Sequence, residues 1–222
     1  MINNFTRKEL LPVALIVFAF IIGLVLYPEL PEQIPSHWNA RGEVDAWSGK
    51  TFGVLFLPAI ALGVYLLMTF LPLIDPLKKN YARFALPYYW LRTIMVLFLV
   101  LLYLYSLGMA LGTEFNINYF ILPAFSILFI SIGLVLPKVK KNYFVGIRTP
   151  WTLHSEEVWD KTHRFGGKLF VVAGLVALVG LVFPNLSFSI FIAAVLAAAL
   201  LSLVYSYFAY RKIKESNNNS MA

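Results

Sequence analysis

The sequence predicts an all-α, polytopic integral membrane protein: six transmembrane helices, N- and C-termini in the cytoplasm, and one amphipathic interfacial helix ahead of the fifth span. Three observations predict it. The first is composition: of 222 residues, 60% are hydrophobic and 13% charged. Soluble domains carry about a quarter charged residues, and a globule of this size has too little interior to hide so much apolar surface. The second is six apolar runs, at 10–27, 52–74, 88–111, 117–136, 169–183 and 187–207, each near or above the ~18–20 residues that cross a hydrocarbon core. The third is the placement of the 18 Lys and Arg residues. All but Arg41 and Lys50 fall on segments sharing a face with the N-terminus, which the positive-inside rule assigns to the cytoplasm.

In chain order, Arg7 and Lys8 precede the first run, as in a signal peptide. The run continues to Tyr27, however, and Pro28, Glu29, Leu30 and Pro31 follow without a small-residue cleavage site, so it reads as an uncleaved span. None of the runs alternates as barrel strands do, which leaves helices as the way to satisfy the backbone in lipid. Connections at 75–87, 112–116 and 184–186 are short; those at 28–51 and 137–168 are long. The organisation is therefore an N-terminal helix pair (1–87) with an ordered outer loop (28–51), then a four-helix region (88–222) with a cytoplasmic loop (137–168). The polar segment 216–222 reads as an unstructured tail. Arg92, one turn from Pro87, is the only cation inside a span and is expected to snorkel to the inner headgroups. No acid, Lys or His falls deep in a span, which argues against a proton-coupled transporter or channel.

The outer loop is too long to be a plain connector. Its prolines, its turn-like Asn39-Ala40-Arg41-Gly42 and its interfacial Trp38 and Trp47 predict a compact ordered cap. Within it His37, Asn39, Asp45 and Lys50 are placed to hold one another by hydrogen bonds. The cap either seals the end of the bundle or offers a receptor surface.

In the inner loop, Lys138, Lys140 and Lys141 form a juxtamembrane cluster suited to anionic lipid. Ser155 is a good helix N-cap, with Glu156, Glu157 and Asp160 at the positive helix end. Val158, Trp159, Thr162 and Phe165 then share one helical face and Lys161 and Arg164 the other, predicting an interfacial helix that ends at Gly166 and Gly167. Between them, Gly146-Ile147-Arg148-Thr149-Pro150-Trp151 reads as a rigid turn that aims Arg148 at an acid or a helix end. The loop is a membrane-surface anchor or a docking platform for a cytoplasmic protein.

Little here is catalytic. There is no cysteine, and three histidines are spaced unlike any H-E-x-x-H metal motif. No glycine loop of the phosphate-cradling kind occurs, and Ser155 beside His154 lacks a third triad member. The expectation is a non-enzyme without cofactor or metal. The net charge of +7 is read as anchoring to membrane lipid, with no direct nucleic-acid binding.

Both loops resemble one family. The inner run Asn142-Tyr143-Phe144-Val145-Gly146-Ile147-Arg148-Thr149-Pro150-Trp151-Thr152-Leu153, followed by Ser155, Val158, Trp159, His163 and Arg164, is similar to the signature of the SdpI family. The outer run from Leu30 through Pro31, Ile34, Pro35, His37, Trp38 and Asn39, then Gly42, Asp45 and Lys50, resembles the small domain of unknown function that commonly precedes it. The resemblance implies a multi-pass protein of the bacterial cytoplasmic membrane that gives immunity to a membrane-active extracytoplasmic peptide toxin. In the best-known member it also implies a receptor that sequesters a cytoplasmic helix-turn-helix repressor. By motif match, the inner recognition or structural residues are Asn142, Gly146, Arg148, Thr149, Pro150, Trp151, Thr152, Ser155, Trp159, His163 and Arg164. The outer ones are Pro35, His37, Trp38, Asn39, Gly42, Asp45 and Lys50. The alternatives are a membrane enzyme or small-solute transporter, or a structural envelope protein.

Overall fold

The computed structural model describes residues 2–183 and 186–219, with side chains described from 9 to 216. Most of the turn expected at 184–186, the side chains of Arg7 and Lys8, and the end of the polar tail lie outside these. Among the described residues six helices are long and apolar enough to cross a membrane: α1 (Ile2–Leu26), α2 (Lys50–Ile74), α3 (Ala85–Ala110), α4 (Ile117–Val135), α6 (Glu156–Val179) and α7 (Ser187–Asn219). A single helical turn, α5 (Pro150–His154), precedes α6. Six crossings return the chain to the face on which it began. We call that the terminal face, and the other the hairpin face.

Large apolar side chains such as Val17, Ile21, Leu66, Phe70, Leu200 and Val204 stay exposed along the spans, as lipid-facing positions do. Lipid tails are as apolar as leucine, so these helices are joined by close packing and polar contacts, not by burial from water. On one side α1, α2 and α3 meet around Ile16, Ala19, Val54, Ala61, Val96, Val100 and Tyr103. On the other, α4, α6 and α7 meet around Leu122, Ala177 and Phe191, where the Phe125 and Phe191 rings stack at 4.6 Å.

Three expectations are corrected. First, no separate interfacial helix ends at Gly166 and Gly167. α6 runs unbroken from Glu156 to Val179. Val158, Trp159, Thr162 and His163 are buried in the bundle and face no headgroups. The two glycines are crossing points: a Cβ on Gly167 would lie 2.6 Å from the Gly133 carbonyl oxygen of α4, so small residues are what let these backbones meet.

Second, Arg92 does not snorkel. It is 5% exposed and forms an ion pair with Glu9 of α1. It also donates to Thr69 Oγ1 at 2.8 Å and lies over the Tyr65 ring, whose hydroxyl donates to Glu9 Oε2 at 3.0 Å. A charged pair thus ties α1, α2 and α3 together. Helix α1 begins well before residue 10, which places Glu9 inside it.

Third, the outer loop is built of strands. β1 (Gln33–Trp38) and β2 (Val44–Gly49) form an antiparallel hairpin running from Gln33 opposite Gly49 to Trp38 opposite Val44, with irregularities flanking His37. The helical fold class holds for the bundle, and the hairpin is its one sheet among the described residues.

Candidate functional site

The two motif sets occupy opposite faces. On the hairpin face, Asn39 builds the turn. Its side-chain oxygen accepts from the Arg41 and Glu43 amides at 2.9 and 3.1 Å, and its amide donates to Glu43 Oε2 at 2.8 Å. Gly42 closes the turn at φ 83°, a conformation that glycine adopts without strain. That hydrogen bond from Asn39, and then the Arg41 charge, hold the exposed Glu43 carboxyl below its ordinary 4.5.

His37 Nδ1 and Asp45 Oδ1 pair at 2.5 Å across the strands, both well exposed. Lys50 lies over the Tyr27 ring at 4.8 Å and 4.0 Å from Glu32. The expected mutual set of His37, Asn39, Asp45 and Lys50 is therefore three separate contacts, with Glu43 and Glu32 as partners the sequence did not single out. The hairpin is seated on the bundle. Ile34, fully buried, packs where Gly53 of α2 leaves room, Ser106 of α3 donates to the Pro35 carbonyl at 2.7 Å, and Trp38 meets Tyr105 edge-on at 5.6 Å.

On the terminal face the loop 139–155 is a hydrogen-bonded knot. Asn142, fully buried, donates to the Lys140 and Val145 carbonyls at 2.8 and 2.9 Å. It accepts from the Phe144 and Val145 amides at 2.9 and 2.6 Å and lies 3.3 Å from the Tyr81 hydroxyl. An amide side chain has two donor hydrogens and an oxygen with two lone pairs, and all are used. Beside it Asp75, 2% exposed, accepts from the Leu77 and Tyr143 amides at 2.7 and 3.0 Å and from the Tyr81 hydroxyl at 3.1 Å. Sequence reasoning missed Asp75. Its one signal is an acid alone among lysines in a short loop.

Gly146 adopts φ 111° and presses against His163. The Ile147 amide donates to His163 Nε2 at 3.0 Å, so Nδ1 carries the proton and donates to the Trp159 carbonyl at 2.8 Å. That is the neutral tautomer. The imidazole also stacks on Trp159 at 4.1 Å, and Trp159 donates to the Val139 carbonyl at 2.9 Å. Thr149 and Thr152 form a reciprocal capping box around α5, with Pro150 in its first turn. The Thr149 hydroxyl reaches Ser206 of α7 at 3.0 Å, and Trp151 meets Tyr207 edge-on. Ser155 caps α6 as expected, accepting from the Val158 amide at 3.3 Å.

Arg148 departs from expectation. It is exposed and donates to the Tyr143 carbonyl at 2.7 Å. Among the described residues no acid or helix end is its partner; Asp75 is engaged instead by backbone amides and a tyrosine. Arg164, also exposed, has no acidic partner among the described residues.

A model of the SdpI/YfhL protein family matches residues 138–206, from the knot into α7, and one for a domain of unknown function, DUF1648, matches residues 14–62, the hairpin with the adjoining halves of α1 and α2. Over 211 residues, 95% of this chain and 99% of the relative, the sequence is 30% identical to the Immunity protein SdpI of Bacillus subtilis (strain 168). The chain belongs to the SdpI/YfhL family. A second relative, the Uncharacterized membrane protein YbgB of the same organism, is 36% identical over 45 residues, 20% of this chain and 50% of the relative. No solved structure matches. As an SdpI/YfhL member with six apolar spans, the chain is a multi-pass bacterial membrane protein.

Proposed function

We propose that this chain is a membrane immunity protein that protects its host cell from a membrane-active peptide toxin. The observation that carries the reading is end-to-end similarity: 95% of the chain aligns with 99% of a protein named for immunity, so both the hairpin and the knot belong to the shared plan. The work is binding and shielding, not turnover. In orientation the knot faces the cytoplasm, as the Lys and Arg asymmetry of the loops favours, and the hairpin meets the toxin outside.

A receptor role, in which the terminal face holds a cytoplasmic repressor when toxin is bound, is supported by one feature. The first turns of α6 expose Glu156, Glu157 and Lys161 beside a loop held by the hydrogen bonds of Asn142, Thr149 and Thr152, which is a rigid and charged docking surface. The test is survival. Bacillus subtilis lacking its own SdpI and expressing this chain is challenged with the toxin that SdpI resists, and in parallel a susceptible host expressing it is challenged with secretions of this chain's own source. Raised survival over an empty vector in either arm supports the reading; no protection in both arms at verified expression overturns it.

A further inference from the structure

Arg164 is part of the inner motif, yet no hydrogen bond or ion pair among the described residues engages its side chain. Its surroundings give it a different use. Between α4 and α6, on the terminal-face half of the bundle, lies an open groove of about 480 Å³ lined by Gly133, Leu134, Pro137, Gly167, Val171 and Val172, with Arg164 and Lys168 on its wall. Gly133 and Gly167 bring the backbones of α4 and α6 together along it, since a Cβ on either would strike the other's carbonyl oxygen. Leu134 and Val172 flank it, 59% and 54% exposed. Arg164 and Lys168 stand one helical turn apart, on the same side of α6. Val171 and Val172 follow one turn further into the span. From its mouth inward the groove therefore presents two exposed cations without acidic partners among the described residues, then an apolar channel open sideways.

We propose that this groove holds one anionic phospholipid, with its phosphate against Arg164 and Lys168 and an acyl chain laid along Gly133, Gly167, Val171 and Val172. Charge selects this occupant. A second copy of the chain would bring its own excess of basic residues on this face, and a zwitterionic lipid would offset its phosphate with its own ammonium. Arginine supplies a planar fork suited to phosphate oxygens, and lysine a point charge. A basic pocket between membrane helices is a recurring headgroup site.

The test is native mass spectrometry of the full chain purified in detergent with equimolar phosphatidylglycerol and phosphatidylcholine. The wild type should retain one phosphatidylglycerol with about tenfold preference. Arg164→Gln with Lys168→Gln should bring the preference to parity. Val172→Trp, which fills the groove from its exposed side, should lower occupancy with the cations intact. Lys78→Gln with Lys79→Gln, removing two exposed charges of the same face outside the groove, should leave the preference unchanged. Equal retention of both lipids by the wild type, loss of preference with Lys78 and Lys79, retention by Val172→Trp, or a lipid-free dimer that buries the groove would each overturn the proposal.

Discussion

Gly146 and His163 are in direct contact, and neither tolerates replacement without disturbing the other. The glycine's φ of 111° turns the chain so that the next amide, Ile147, meets the imidazole, and any Cβ at position 146 would strike that ring.

Gly146→Ala should therefore destabilise the protein by about 2–4 kcal/mol, combining a strained backbone with overpacking. Gly112 offers a matched control. Its φ is 92°, but a Cβ there would meet nothing within 4 Å, so Gly112→Ala should lose only about 1–2 kcal/mol. Thermal unfolding in one detergent would rank the pair; equal losses would refute the contact argument.

The ion pair of Glu9 and Arg92 yields a second expectation. Removing one partner strands a buried charge, which costs about 3–5 kcal/mol. Glu9→Gln and Arg92→Met should each lower the melting temperature clearly, while the double variant should lose less than the sum of the two. Strict additivity would mean that the charges do not stabilise each other.

On the hairpin, Glu43 gives a pH dependence with a definite sign. Its carboxyl is depressed in the fold, first by the Asn39 hydrogen bond and then by Arg41. Its contribution to the turn is present above the ordinary value of 4.5 and lost as pH falls through the lower folded value. Hydrogen-exchange protection at the Asn39 and Glu43 amides, corrected for intrinsic rates, should hold steady above about pH 5 and decline below it. Asn39→Ala should weaken that protection and flatten its pH response.

Topology supplies a fourth. Reporter fusions after Gly49, at Asn116 and at Leu186 should read as external, and those at Lys79, Lys140 and Lys214 as cytoplasmic. One firm inversion among the six would refute the orientation.

What the sequence revealed followed from local physics. Apolar length announces a span, so all six helices were legible, and Ser155 declared itself as a cap through its hydroxyl and the acids after it. Gly166 and Gly167 misled because a glycine pair closing an amphipathic run reads as a helix stop. Their roles depend on residues more than thirty positions away: Gly167 meets Gly133 of α4, and Gly166 meets Ser202 of α7. Arg92 misled for the same reason: its partner Glu9 lies 83 residues off, and a lone cation near a span end looks like a snorkel. In the outer loop the turn at Asn39 to Gly42 and an ordered cap were legible, but the strands beside the turn were not, because segments of six residues, the first interrupted by proline, carry no clear alternation. A two-stranded hairpin has outward edges that accept proline, and Pro35 contributes a carbonyl to Ser106.

The knot around Asp75 and Asn142 has a consequence for how fast a partner can engage. Asp75 belongs to the connection between α2 and α3, whereas Asn142 precedes α5, and Tyr81 lies within hydrogen-bond distance of both. The two connections are thus stapled before any visitor arrives. Under the proposed receptor role, a protein landing there meets a surface already in its final shape, so complex formation needs no slow folding of the loop and little ordering entropy is lost on contact. Association should then follow a single exponential whose rate rises linearly with partner concentration, with no plateau set by a loop closing.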